Sequence, residues 1–306
     1  MKGVLRRADN SGGDEYAVAL EVPCRREEEP KLSDHRSPVF VIRSNRSTGL
    51  HLRDLWSHRG LFYILAWRDV KVRYKQSALG AAWVILQPLL TMLIFTLLFG
   101  RLARMSSEGE PYAIFSYAGL LPWTFFSTAV STSSNSLVNN SNLITKVYFP
   151  RMLIPTATVG AGLIDLAIAS LMLLVLIPIY RVGFHLSLIM FLPLVALTAL
   201  AATAIGILTS ALNVKYRDIR HALPFVIQVW MFLTPVIYSV NFLPERWRWL
   251  LSVNPLTGII EGFRAAIFGS SFDWQGLGIS TTIVITLLVM TAYSFSRMEE
   301  QFADVI

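Results

Sequence analysis

Long apolar runs alternate with short polar ones through most of the chain. Six of the runs are long enough to cross a bilayer, at about 82–100 (AWVILQPLLTMLIFTLLFG), 113–133, 153–178, 186–212, 222–240 and 277–296. The criterion is physical: a hydrocarbon core of roughly 30 Å needs about 20 apolar residues rising about 1.5 Å each, because lipid offers the backbone no hydrogen-bond partner. Prolines and hydroxyls interrupt the second and fifth runs, which neighbouring helices can accommodate by satisfying the freed backbone groups. The pattern predicts an all-α polytopic membrane protein with six transmembrane helices, a transmembrane domain over 81–300 and a short end at 301–306.

Two segments fall outside this rhythm. Upstream of the first run, LHLRDLWSHRGLFYILAWRDVKVRY is too interrupted by charge to cross a membrane. At 3.6 residues per turn Leu52, Leu55, Trp56, Phe62, Tyr63, Ala66 and Val70 share a side, with Arg59 among them and Leu61 and Ile64 off it. Residues 50–80 are therefore expected to form an amphipathic interface helix and a basic linker, either as a plain anchor or in gating or guiding substrate. Between the fifth and sixth runs, residues 241–275 are apolar enough to enter the membrane but are broken by Pro244, Pro255 and Gly258. Short re-entrant helices fit this stretch, and a flap resting on headgroups through Trp247 and Trp249 is the alternative.

Composition agrees: 54% of the 306 residues are hydrophobic and 15% are charged, with a mean hydropathy of +0.51. Residues 1–49 are polar and lack the apolar core of a signal peptide, so they are expected to form a cytoplasmic, largely disordered tail. With that tail inside, about 12 basic residues of loops and helix ends lie on the inner side and about 6 outside, as the positive-inside rule requires. Both termini are then cytoplasmic. Inner-face Lys and Arg against anionic lipid also account for most of the net charge of +7, with no nucleic acid needed. The one cysteine, Cys24, excludes an intrachain disulfide and a cysteine-cluster metal site.

The search for chemistry returns few residues. The sequence holds no G-x-x-x-x-G-K-[ST], G-x-S-x-G, H-E-x-x-H or C-x-x-C pattern, so no catalytic, cofactor or metal site is expected, and no ATP hydrolysis by this chain alone. Loop carboxylates such as Asp218, Glu245 and Glu261 have no close acid/base partner in sequence, and Glu261 is spaced to pair with Arg264 three residues on. Asp165 stands out, about 12 residues into the third run and so roughly 18 Å along it. An intramembrane carboxylate is either a proton or cation site or a paired group bonded to a neighbouring helix. The paired reading predicts that Asp165→Asn is tolerated.

The ordered motifs DLWSHRGLFYILAWRDVKVRYKQSALGAAWVILQPL, GLLPWTFF, NLITKVYFPRMLIP, LNVKYRDIRHALPFVIQVWMFLTPVIY and NPLTGIIEGFR resemble the permease subunits of ABC-2 type exporters. Within that group the chain is similar to the polysaccharide and polyol phosphate export branch, which includes O-antigen, capsule and teichoic acid permeases. The likeness covers about residues 50–300. It implies a homodimer that docks two copies of a separate cytoplasmic ATPase in the inner membrane. The ATPase-coupling loop would be Asn142 through Arg151, including Lys146, Val147, Tyr148, Phe149 and Pro150, with Arg217 and Asp218 of the next inner loop adding to the contact. The implied substrate is an undecaprenyl-diphosphate-linked glycan. Arg68, Lys71, Arg73 and Lys75 are candidates for its headgroup. Trp123, Phe125, Phe126, Tyr148 and Trp230 are candidates for stacking on sugar rings in a channel, or for lipid contact and helix packing. The outer segment with Trp247, Trp249, Pro255, Glu261 and Arg264 would close the outer side.

Three rival readings share parts of this pattern. An exporter of a small hydrophobic compound has the same topology. A membrane enzyme acting on lipid-linked sugars needs a cluster of carboxylates or histidines, which the sequence lacks. An ion-coupled transporter centred on Asp165 lacks partner charges and an internal repeat.

Overall fold

A computed structural model describes residues 57–75, 80–147, 149–242 and 244–305. All regular structure among them is helical. Helix α1 is Arg59–Lys75, and α2, Gly80–Phe95, runs on into a π-helical segment, Thr96–Leu102. Then come α3 (Tyr112–Asn139), the short α4 (Ser141–Lys146) and α5 (Leu153–Ile179). A 3-10 turn, Leu186–Met190, leads into α6 (Phe191–Lys215), followed by α7 (Ile219–Leu233). The chain ends with α8 (Glu245–Ser252), α9 (Pro255–Phe268) and α10 (Trp274–Val305).

Five helical stretches are long and apolar enough to cross a membrane: Ala82–Leu102, Tyr112–Asn139, Leu153–Ile179, Leu186–Lys215 and Trp274–Glu299. The expected fifth span differs. Instead of a helix over 222–240 there is α7 with 15 residues, about 22 Å at 1.5 Å each. Pro235 is the cause: a residue before proline is pushed out of the helical region, and Thr234 is extended at φ −106°, ψ 139°. The second span runs longer than its apolar stretch. Ser133, Ser134 and Ser136 are buried, and Asn213 of α6 donates to the Ser134 carbonyl at 2.9 Å, so neighbouring polar groups carry the helix on to Asn139.

Helix α3 is the centre of the bundle, packed against α2, α5, α6, α7 and α9. Its apolar residues Ile114, Tyr117, Leu121, Phe126 and Val130 lie in the main hydrophobic cluster. Two ends of the bundle can be told apart by their contacts. At one, Arg151 bonds Glu299 near the end of α10. At the other, the Tyr112 hydroxyl donates to the Ile237 carbonyl at 2.7 Å, and Ser187 donates to the Ala266 carbonyl at 3.0 Å. Helix α6 finishes at the Arg151 end, so the chain passes to the opposite end between Lys215 and Ile237, along α7.

From there α8 and α9 form a hairpin. Trp247 and Trp249 on α8 are exposed, whereas α9 is buried from Pro255 to Ile260 against α3, α6 and α10. At Gly258 a Cβ would lie 2.6 Å from the Gly276 carbonyl oxygen, so only glycine lets α9 lie this close to α10.

Candidate functional site at the junction of α1, α3 and α5

Helix α1 lies along α5 and does not stop at its tip. The Phe62 ring covers Gly160, where a Cβ would meet Phe62 Cζ at 2.8 Å, and Thr158 donates to Asp69 Oδ2 at 3.3 Å. The buried side of α1 holds Leu65 and Val70, flanked by half-buried Leu61, Phe62 and Ala66. This corrects the face read from the sequence: Tyr63 is exposed and Leu61 turns inward. Phe62, Ala66 and Val70 do lie on the packed side as expected, and the face differs in bringing Leu61 in and turning Tyr63 out, with Phe62 seated on Gly160. Leu52, Leu55 and Trp56 lie outside the described residues.

The far end of α1 carries the main charged contact. Arg73 Nη1 and the Tyr74 hydroxyl both donate to the Asp165 carboxylate on α5. Burial pushes the Tyr74 phenol above its ordinary pKa, against a smaller lowering by Arg73, so it stays a donor. Arg68 is held by Asp69 at 2.8 Å. Of the four headgroup candidates, Arg68 and Arg73 thus have carboxylate partners, while Lys71 and Lys75 are exposed, Lys71 lying 5.8 Å from the Trp67 ring centre. Trp67 in turn stacks on Tyr63.

Beside the Arg73–Asp165 pair is a cavity of about 660 Å³ between α2, α3 and α5. Trp83 and Gln87 line it from α2, and Thr124, Ser127, Thr128 and Thr132 line it from α3. Phe125 reaches its wall. Trp123 and Phe126, by contrast, are buried in the core of this chain, Phe126 edge-on to Trp230 at 5.3 Å. Trp230 is half-buried and donates from Nε1 to Asn254 Oδ1 at 3.2 Å. Tyr148 lies outside the described residues.

A polar stripe on α3 escaped the sequence reading although its spacing was visible: the hydroxyls of Thr124, Ser127, Thr128, Ser131 and Thr132 and the Asn135 amide repeat at helical period along an otherwise buried helix. Asn254 escaped it too. Its Oδ1 accepts from the Leu256 N–H at 3.1 Å and its amide donates to Thr234 Oγ1 at 2.8 Å, so it ties the start of α9 to α7. An Asn followed by Pro at the first helical position was the signal.

The proposed coupling residues gather at the Arg151 end. Asn142, Lys146, Val147, Arg217 and Asp218 are exposed, Phe149 is buried, and Pro150 and Arg151 are half-buried. At the other end Arg264 is buried. It bonds Glu261 at 2.8 Å and the carbonyls of Val236 and Tyr238 at 2.9 and 3.3 Å, and lies 3.7 Å from the Phe115 ring centre.

The sequence that forms these helices has recognisable relatives. The profile of the ABC-2 type transporter family matches residues 60–268. The chain belongs to that family. Among similar ABC-2 proteins is the O-antigen export system permease protein RfbA of Myxococcus xanthus, 31% identical over 83% of this chain and 98% of that one. A protein of the same name from Klebsiella pneumoniae is 28% identical over 80% of this chain and 95% of its own. The polysialic acid transport protein KpsM of Escherichia coli is 23% identical over 73% and 86%. The ABC-2 match begins inside α1 and ends with α9, so it takes in both the charged junction and the α8–α9 hairpin.

Proposed function

We propose that this chain is the permease subunit of an ATP-driven exporter that moves an undecaprenyl-diphosphate-linked polysaccharide, such as an O-antigen, across the inner membrane. The observation that carries the reading is the nearly end-to-end match to O-antigen export permeases. In this reading two copies of the chain pair, and two copies of a separate ATPase dock on the exposed residues Asn142, Lys146, Val147, Arg217 and Asp218. Their clustering at one end of the bundle supports a shared docking face. Helix α7 and the stretch after it complete a sixth crossing, which leaves both termini cytoplasmic. The α8–α9 hairpin re-enters from the outer face, and its buried second arm supports that role. Lys71, beside Trp67, and Lys75 are both exposed, so an arriving anionic headgroup can meet them first.

The test is deletion of this chain in its own cell. Export by this route predicts that surface glycan is lost while a lipid-linked glycan accumulates on the inner leaflet. Unchanged surface glycan with no such intermediate would overturn the reading.

A further inference from the structure

We propose that Asp165 is a placeholder for a substrate phosphate: it holds Arg73 at the wall of the 660 Å³ cavity while the site is empty, and yields it to the diphosphate of an entering polyprenyl-linked sugar. The inference rests on the lipid-linked substrate proposed above and adds where its headgroup sits.

Three observations carry it. First, the pair is not sealed in. Both side chains line the cavity and keep 28% and 18% of their surface, so a ligand there reaches the guanidinium directly. The cavity volume lies in the range of small-ligand pockets, about 300–1,000 Å³.

Second, Arg73 is the one charged donor among the described residues of a wall whose α3 side is rich in acceptors, with neutral donors confined to groups such as the Gln87 amide and the Trp83 indole. Thr124, Ser127 and Thr132 donate their protons to carbonyls of their own helix, at 2.8, 3.1 and 2.7 Å. What they turn outward is lone pairs, which accept from sugar hydroxyls and repel phosphate oxygens. Among the described lining residues Arg73 is the one cation, with a planar fork that takes a phosphate in two parallel bonds. Trp83 lines the same cavity and brings an aromatic ring on which a sugar can stack.

Third, the exchange leaves no orphan. The Tyr74 hydroxyl bonds the other Asp165 oxygen, so the carboxylate keeps a donor after Arg73 leaves. The diphosphate, carrying more charge than one carboxylate, wins the guanidinium.

The experiment uses the full chain in nanodiscs, with undecaprenyl diphosphate as probe, free pyrophosphate as a second arm and a raised phosphatidylglycerol content as a third. Removing the competitor must tighten binding: Asp165→Asn and Asp165→Ser are each expected to bind undecaprenyl diphosphate about fivefold more tightly than the parent, the scale of a partly exposed ion pair. Arg73→Gln is expected to abolish the gain in the Asp165→Asn background. Equal or weaker binding by both Asp165 variants overturns the placeholder role and makes the pair structural. An equal gain with pyrophosphate alone or phosphatidylglycerol alone overturns the lipid-diphosphate assignment. If the parent itself fails to bind undecaprenyl diphosphate, the proposed substrate falls; if the parent binds and the variants do not tighten, only this inference does.

Discussion

Arg151 and Glu299 are 148 residues apart in sequence and meet at one end of the bundle. The Arg151 backbone N–H donates to Glu299 Oε1 at 3.2 Å, and its Nη1 donates to the Glu299 carbonyl at 2.9 Å. Lys146, five residues earlier, is exposed. The two cations of one loop therefore do different work, one clamping the loop to α10 and the other facing outward.

Arg151→Ala is expected to lower stability by about 1–3 kcal/mol, the scale of a charge-assisted hydrogen bond lost from a half-buried site. A lower apparent melting temperature in detergent is the check. Lys146→Glu is expected to leave that temperature unchanged and to reduce co-purification of the ATPase. Normal co-purification would remove Lys146 from the docking face.

Arg264 fastens α9 to the turn after α7. Arg264→Ala leaves two carbonyls and the Glu261 carboxylate without their cation, at a cost of about 3 kcal/mol, the low end for a buried pair because Glu261 keeps 25% of its side-chain surface. Arg264→Lys is expected to recover less than half, because an ammonium lacks the fork that reaches Glu261 and both carbonyls together. Thermal unfolding of the two variants side by side measures the difference.

Gly160→Leu is expected to lift α1 from α5, since even a Cβ would meet Phe62 at 2.8 Å. Trypsin cleavage at Lys71, Arg73 and Lys75 then becomes faster while the spanning helices stay protected. Adding Phe62→Ala makes room for the new side chain and is expected to restore slow cleavage. Rapid cleavage in the double variant would place the cause elsewhere.

Purified alone, the chain is expected to show no ATP turnover, and the turnover of its proposed ATPase partner is expected to change when the two are combined. Steady phosphate release from the chain by itself, surviving further purification, would sink the division of labour.

Four of the five long helices were legible in the sequence because a span with most of its surface outside the protein core must be apolar along its length. Helix α3, buried within the bundle, instead tolerates Pro122 and the serines and so runs past its apolar stretch. The fifth run misled because Phe225, Trp230 and Val236 read as one stretch, while the backbone effect of Pro235 divides it. The face of α1 was legible through Phe62, Ala66 and Val70, and missed only at Tyr63 and Leu61, because the helical pattern is weak and contact with Gly160 fixes the rotation. Asp165 was visible as an isolated carboxylate, but its partners lie 92 and 91 residues away, a distance that no local spacing encodes. The stripe on α3 was readable as a period of hydroxyls and was hidden by attention to hydropathy alone.

Helix α3 touches five other helices and runs into α4 with only Asn140 between them. Mechanically the bundle has a spine, and the short helix at the Arg151 end is its handle. A push at Ser141–Lys146, such as the proposed ATPase docking would supply, would be delivered to the helix on which α2, α5, α6, α7 and α9 pack, and those five would have to slide along it or turn with it. The small hydroxyl residues on its open side offer them little to catch on.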